Sequence, residues 1–235
     1  MAARRSTWTL DVGFTVVPKS DLALALDEIQ REIAPELKRR RFRVRGRTFN
    51  RPTTDGLTHV LNLQMGSFDP PGTTYHPGLR ENLYGRFTVN LGVHVPEVAA
   101  NHGGGPAKSW IQDYNCCLRS RLGELGLERK DLWWSIRSRA QALDDLLPRI
   151  SHDAMRFFAT YGSREEILLA LDGKTENMSS GNPPRIICAI ILASRGDISR
   201  ARKLLSEQAL ETRNPGHPAY VRALAGRLGL GSIDV

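Results

Sequence analysis

The sequence predicts an α+β fold: an antiparallel meander sheet of three to five strands packed on helices, followed by a helical C-terminal region. Three observations carry this. Apolar and polar residues alternate strictly through 86–95, where Phe87, Val89, Leu91, Val93 and Val95 interleave with Arg86, Thr88, Asn90, Gly92 and His94. A second run, LTHVLNLQM at 57–65, follows Thr53-Thr54-Asp55-Gly56, and Asp-Gly is a strong hairpin signal. Segments with helical spacing fill the chain before and after these strands.

The elements follow in order. Residues 7–17, TWTLDVGFTVV, are β-prone and suit an edge strand or an ordered arm that Pro18 ends. Ser20 or Asp21 caps a helix over 21–40, with Leu22, Leu26, Ile29 and Ile33 on its apolar side. Pro35 is expected to kink or split that helix. The first strand covers 41–51, and a Pro- and Gly-rich loop covers 67–85. A short turn is expected at 97–102 and a short strand or helix within 109–123. Helices are predicted at 131–149, with Trp133, Ile136, Ala140, Leu143 and Leu147 in phase, and at 151–160. Residues 163–172 open on a Ser-x-x-Glu capping box. The chain then divides into an α+β domain at 1–172, a linker or loop at 173–184 and a helical extension at 185–235. Within the extension, helices at 184–195 and 198–212 flank Gly196-Asp197, and a third covers 217–229. The first two resemble one tetratricopeptide hairpin, whereas a stable solenoid needs about three repeats; a helical hairpin packed on the main domain is the simpler reading.

A chain of 235 residues with 40% hydrophobic and 25% charged residues buries a core without disulfides or metals. Three cysteines, Cys116, Cys117 and Cys188, have no framework spacing, which points to a reducing compartment. No run approaches ~18 apolar residues, so no membrane partner is expected. Asp11 interrupts any signal-peptide core. The expected location is the cytoplasm, and the preference for Arg over Lys suggests a bacterial source.

The charge is unevenly placed. The chain has 33 basic and 25 acidic residues. Lys38, Arg39, Arg40, Arg41, Arg43, Arg45, Arg47 and Arg51 are eight of the 33; the remaining 25 balance the 25 acids. The whole excess lies in and beside RRRFRVRGRTFNR, residues 39–51. Arg43, Arg45 and Arg47 are two apart, so a continuous strand projects them from one face, unless Gly46 forms a bulge that resets the register. If the strands pair in order, Thr58, Asn62, Gln64, Arg86, Thr88, Asn90 and His94 share that face. Guanidinium, amide and hydroxyl groups together bind carboxylates and phosphates. The alternative is a solvated face whose edge charge prevents aggregation.

Other motifs carry less. HGGGP at 102–106 has the composition of an oxyanion loop, but the Gly-x-Ser-x-Gly elbow it requires is absent. GKT at 173–175 lacks the phosphate-loop glycine five residues earlier, where Leu168 stands. His59 falls on the apolar side of its strand and reads as a core histidine. His94 is the best single candidate for proton chemistry, without a carboxylate at a defined spacing. His76 and His102 fall in loops. Cys116 and Cys117 lack partners for a metal site, so no cofactor or metal is implied. Trp133 and Trp134 point apart on a helix, one to the core and the other free to anchor a partner.

Three segments, RFRVRGRTFNRPTTDGLTHVLNLQMG, GRFTVNLGVHVPEV and CCLRSRLGEL with LWW behind it, resemble the bacterial domain of unknown function 4304 family. The resemblance covers roughly residues 20–170. It implies an α+β domain with an antiparallel sheet, and no activity or catalytic residue. The arginine run is denser here than the basic residue or two usual in the family. The leading expectation is a non-catalytic interaction protein, of immunity or accessory type, that engages an acidic protein through Arg43, Arg45, Arg47, Asn62, Gln64, Arg86, Thr88, Asn90 and His94. The alternatives are an enzyme acting on an anionic substrate, with His94 and Asn90 or Asn62 in the chemistry, and sequence-independent nucleic-acid binding.

Overall fold

The computed structural model describes residues 19–66, 82–101, 108–174, 183–212 and 214–233. The predicted strand at 7–17, the HGGGP motif, His76 and most of the loops at 67–85 and 173–184 lie outside the described residues.

Helix α1 (Asp21–Arg39) begins where Ser20 accepts a hydrogen bond from the Ala23 amide at 3.3 Å. It continues through Pro35 as one element, so of the kink or split expected there the split does not occur. A proline removes one intrahelical bond. Ile33, Ala34 and Leu37, all buried around it, hold the helix against the core.

The predicted first strand divides at Gly46 into β1 (Arg43–Arg45) and β2 (Thr48–Pro52). Arg45 pairs with Thr48, which leaves Gly46 and Arg47 as a two-residue turn. Gly46 has φ 57, the left-handed conformation that such a turn takes at its first position. The Asp-Gly turn then leads to β3 (Thr58–Met65), as the sequence predicts. Strands β4 (Arg86–His94), β5 (Leu118–Arg121) and β6 (Trp134–Ser135) complete a six-stranded antiparallel sheet. Its order is β1-β2-β3-β4-β5, with β6 also on β4. The meander is the expected one, with an extra strand gained at Gly46 and another at β6.

Helix α2 (Pro96–Asn101) follows β4. The helix expected over 131–149 begins only at Arg139, as α3 (Arg139–Arg149). Trp134 instead pairs with Phe87 across the sheet, and its indole N–H donates to Asp145 at 2.8 Å. Sheet pairing here overrides the helical spacing. A π-helical turn, Ile150–Ala154, carries α3 into α4 (Met155–Thr160). Ser163 caps α5 (Arg164–Leu171), accepting from the Glu166 amide. Helices α6 (Pro184–Ser194), α7 (Ile198–Glu211) and α8 (His217–Arg227) lie close to the predicted spans. One contiguous apolar core runs from α1 and the sheet through α3 and α4 to α6, α7 and α8. Among the described residues, no helix is long and apolar enough to cross a membrane.

Candidate functional site

The sheet has two chemically distinct faces. Phe49, Leu61, Leu63, Phe87, Val89, Leu91 and Val93 point into the core. The cross-strand pairs of the other face are Arg43 with Asn50, Arg45 with Thr48, Thr48 with Asn62, Gln64 with Thr88, Asn62 with Asn90, and Thr58 with His94. The expected polar face therefore exists and holds Arg43, Arg45, Asn62, Gln64, Arg86, Thr88, Asn90 and His94.

Arg47 does not belong to it. It sits in the β1–β2 turn, where its guanidinium donates to Asp27 at 2.9 Å and to the Ala23 carbonyl at 2.9 Å. The strand that was to project three arginines together ends at Gly46, so the third turns back onto α1. Other members of the basic segment also have fixed partners. Arg39 and Arg40 both bind Glu36, the second at 2.7 Å. Arg51 lies over the Phe42 ring at 4.7 Å and donates to His59 at 2.8 Å. The hydrogen bonds from Arg40 and Arg39 hold the Glu36 carboxyl below its ordinary pKa. The local charge is thus partly balanced. Among the described residues, Arg41, Arg43 and Arg45 have no carboxylate partner; Arg43 and Arg45 are exposed on β1, an edge of the sheet.

The centre of the face is covered, whereas alternation suggests an open, wet surface. Thr48, Asn50, Thr88 and Asn90 are all buried, Thr88 completely. Part of the cover is the segment through Gln112 and Asp113. Thr48 donates to the Gln112 side chain at 2.7 Å and accepts from Asn62 at 2.9 Å. Asn90 donates to Gln64 at 2.7 Å and to the Asp113 carboxylate at 3.2 Å. Arg119 donates to the same carboxylate at 3.3 Å. The absence of a side chain at Gly92 permits this approach, since a Cβ there would lie 2.6 Å from the Cys116 sulfur. Asn50 Oδ1 and Thr88 Oγ1 are buried without a hydrogen-bond partner among the described residues.

Sequence reasoning missed Gln112, Asp113, Arg119 and Arg121. Arg119 and Arg121 stand two apart in LRSR, the one signal available, and place two more guanidiniums on the polar side of β5 opposite Gly92 and Asn90. Arg121 binds Asp131 and lies 5.1 Å from the Trp133 ring centroid. The two tryptophans do diverge, although not on a helix: Trp134, on β6, is buried, and Trp133, just before it, is only partly covered.

His59 is buried, stacked on Phe158 with ring centroids 4.7 Å apart. An arginine can only donate, so the Arg51 contact fixes Nδ1 as acceptor and leaves the proton on Nε2, 3.3 Å from the Tyr161 carbonyl. Burial and the nearby Arg51 charge push its pKa down to about 4. His94 is half-buried, and burial lowers its pKa against the opposing pull of Glu97. Glu97 is itself held in a two-pronged contact by Arg164, at 2.6 and 2.8 Å. Cys116, Cys117 and Cys188 are buried thiols, and burial pushes Cys117 up to about 12. No group of three or more metal-ligating side chains occurs among the described residues. A cleft of about 280 Å³ lies away from the sheet, between α5, α6 and α7; the Arg185 on its wall is tied to Glu211 at 2.6 Å.

Residues 79–160 match the model of a family described as a domain of unknown function, DUF4304. The DUF4304 match takes in β4, β5, β6 and the Gln112–Asp113 cover, together with two of the three segments that carried the resemblance. The arginine-rich hairpin, β1 and β2, stands outside it. No curated protein and no solved structure matches the chain.

Proposed function

We propose that the chain is a non-catalytic interaction protein, of immunity or accessory type, that engages an acidic protein partner through the arginine-bearing rim of its polar sheet face. One observation carries this reading. Within a basic segment where Arg39 and Arg40 bind Glu36, Arg47 binds Asp27 and Arg51 contacts His59 and Phe42, Arg43 and Arg45 stand exposed on the polar side of an edge strand with no acid beside them among the described residues. An exposed guanidinium pair contributes little to folding but steers and orients an anionic surface. Gln64 and Arg86, also exposed, extend the rim across β3 and β4, while Thr88 and Asn90 serve beneath it as support.

The test compares wild type with Arg43→Glu/Arg45→Glu as bait in a bacterial lysate, with and without nuclease, read by mass spectrometry. Arg47 is left intact because its clamp on α1 is structural. The expected result is an acidic protein retained by wild type alone and insensitive to nuclease. Equal capture by both baits would refute the reading, and loss on nuclease treatment would assign the rim to nucleic acid.

A further inference from the structure

The route by which an acidic partner engages this rim follows from the backbone of β1. The Leu63 amide donates to the Arg47 carbonyl at 3.0 Å, so the Arg47 carbonyl faces β3. Main-chain groups alternate sides along a strand. Phe49 and Arg51 therefore also face β3, and Thr48 and Asn50 face β1. Their register partners are Arg45 and Arg43, whose amides and carbonyls are used on β2. Val44, between them, directs its N–H and C=O outward from the sheet. Among the described residues, β1 has β2 as its sole strand neighbour and Val44 has no hydrogen bond on its outward side.

We infer that β1 is a docking edge that takes an extended acidic segment of a protein partner as an added antiparallel strand, a mode that rests on the acidic-partner reading above. Main-chain bonds to Val44 supply the pairing. The partner residues opposite Arg43 and Arg45 then occupy the non-hydrogen-bonded pairs, the closer of the two classes, with Cα atoms ~4.5 Å apart. Both arginines point to the same face, so carboxylates two residues apart in the partner meet both. The Val44 side chain packs on the core side, which favours an apolar residue between the two acids. The same guanidiniums repel a second copy of β1, so this edge selects an acidic strand while resisting self-pairing.

The experiment measures fluorescence anisotropy of a labelled peptide of about ten residues with alternating glutamate and valine. In the proposed register the valine amides face Val44 and the glutamate amides face away. Methylation of the valine amides should weaken binding at least tenfold, and methylation of the glutamate amides should leave it within about twofold. Val44→Pro deletes the outward N–H at a position where an edge strand tolerates proline, and should weaken binding similarly. The methylated peptides give the same answer on the wild-type protein should that variant not fold. If Arg43→Glu/Arg45→Glu abolishes binding while valine methylation and Val44→Pro do not, edge pairing is overturned and the acidic-partner reading stands. If wild type does not bind the peptide, or a single-stranded oligonucleotide of equal charge displaces it more effectively than unlabelled peptide, the proposal is also overturned.

Discussion

Acidification should weaken this fold through His59 before it titrates most carboxylates. The folded ring is held neutral: Nδ1 accepts from Arg51, and a proton there would set two donors against each other. Its pKa is lowered from 6.5 to about 4, whereas the unfolded chain has the ordinary value. The unfolded state therefore binds the extra proton. The contribution is fully present above the unfolded pKa, is lost as pH falls through the window from 6.5 to 4, and changes no further below it. Between pH 7.5 and pH 5 the loss comes to ~2 kcal/mol. Asp27, where the upward push of burial is outweighed by the hydrogen bonds from Lys19 and Arg47 together, and Glu36, held low by Arg40 and Arg39, add their own acid sensitivity at lower pH. Comparison with His59→Gln removes that background, since both proteins carry those carboxylates. The variant is less stable at neutral pH, but between pH 7.5 and pH 5 wild type should lose ~2 kcal/mol more than it does in urea unfolding. Parallel pH curves for the two proteins would refute the buried neutral imidazole.

Further substitutions test the architecture of the rim and the elements around it. Arg47→Ala removes the clamp to Asp27 and the Ala23 carbonyl and should cost ~1–2 kcal/mol, while Arg43→Ala and Arg45→Ala stay within ~0.5, all read from urea midpoints. Gly92→Ala drives a methyl group into Cys116 and should cost ~1–3 kcal/mol; an unchanged midpoint would mean that the segment through Asp113 does not pack on β4. Ser163→Ala deletes the cap of α5 and should cost ~1 kcal/mol, visible as a lower melting temperature.

The sheet was legible because its signal is local. Alternation in β3 and β4 assigns every side chain to a face, and the Asp-Gly turn sets their neighbour, so the polar row of Arg43, Arg45, Asn62, Gln64, Thr88, Asn90 and His94 could be assembled by parity alone. What failed depended on distant parts of the chain. Arg47 keeps strand spacing with Arg45, but Gly46 at positive φ breaks the strand there, and Asp27, twenty residues earlier, takes the guanidinium. Trp133 fits a helical spacing with Ile136 and Ala140 that the pairing of its neighbour Trp134 with Phe87 overrides. The cover on the polar face rests on Gln112 reaching Thr48, sixty-four residues away, which no local pattern encodes.

The boundary of the family match also has a physical consequence. It begins at residue 79, after β3, and so passes between two strands paired along the whole of β3, from Thr58 to Met65. A fragment of residues 79–160 would leave the β3-facing edge of β4 unpaired and would strip Val89, Leu91 and Val93 of the cover that α1, β2 and β3 provide. Each unpaired backbone group and each exposed apolar side chain there costs free energy comparable to a lost hydrogen bond or ~1.5–3 kcal/mol of burial. Those losses are of the same order as the ~5–15 kcal/mol by which a domain of ordinary stability is held. The fragment should show no cooperative thermal transition by circular dichroism, whereas residues 19–233 should melt as one. A cooperative melt of the fragment would mean that the matched stretch is a folding unit in its own right, and that the arginine-bearing hairpin is an addition to it rather than part of its sheet.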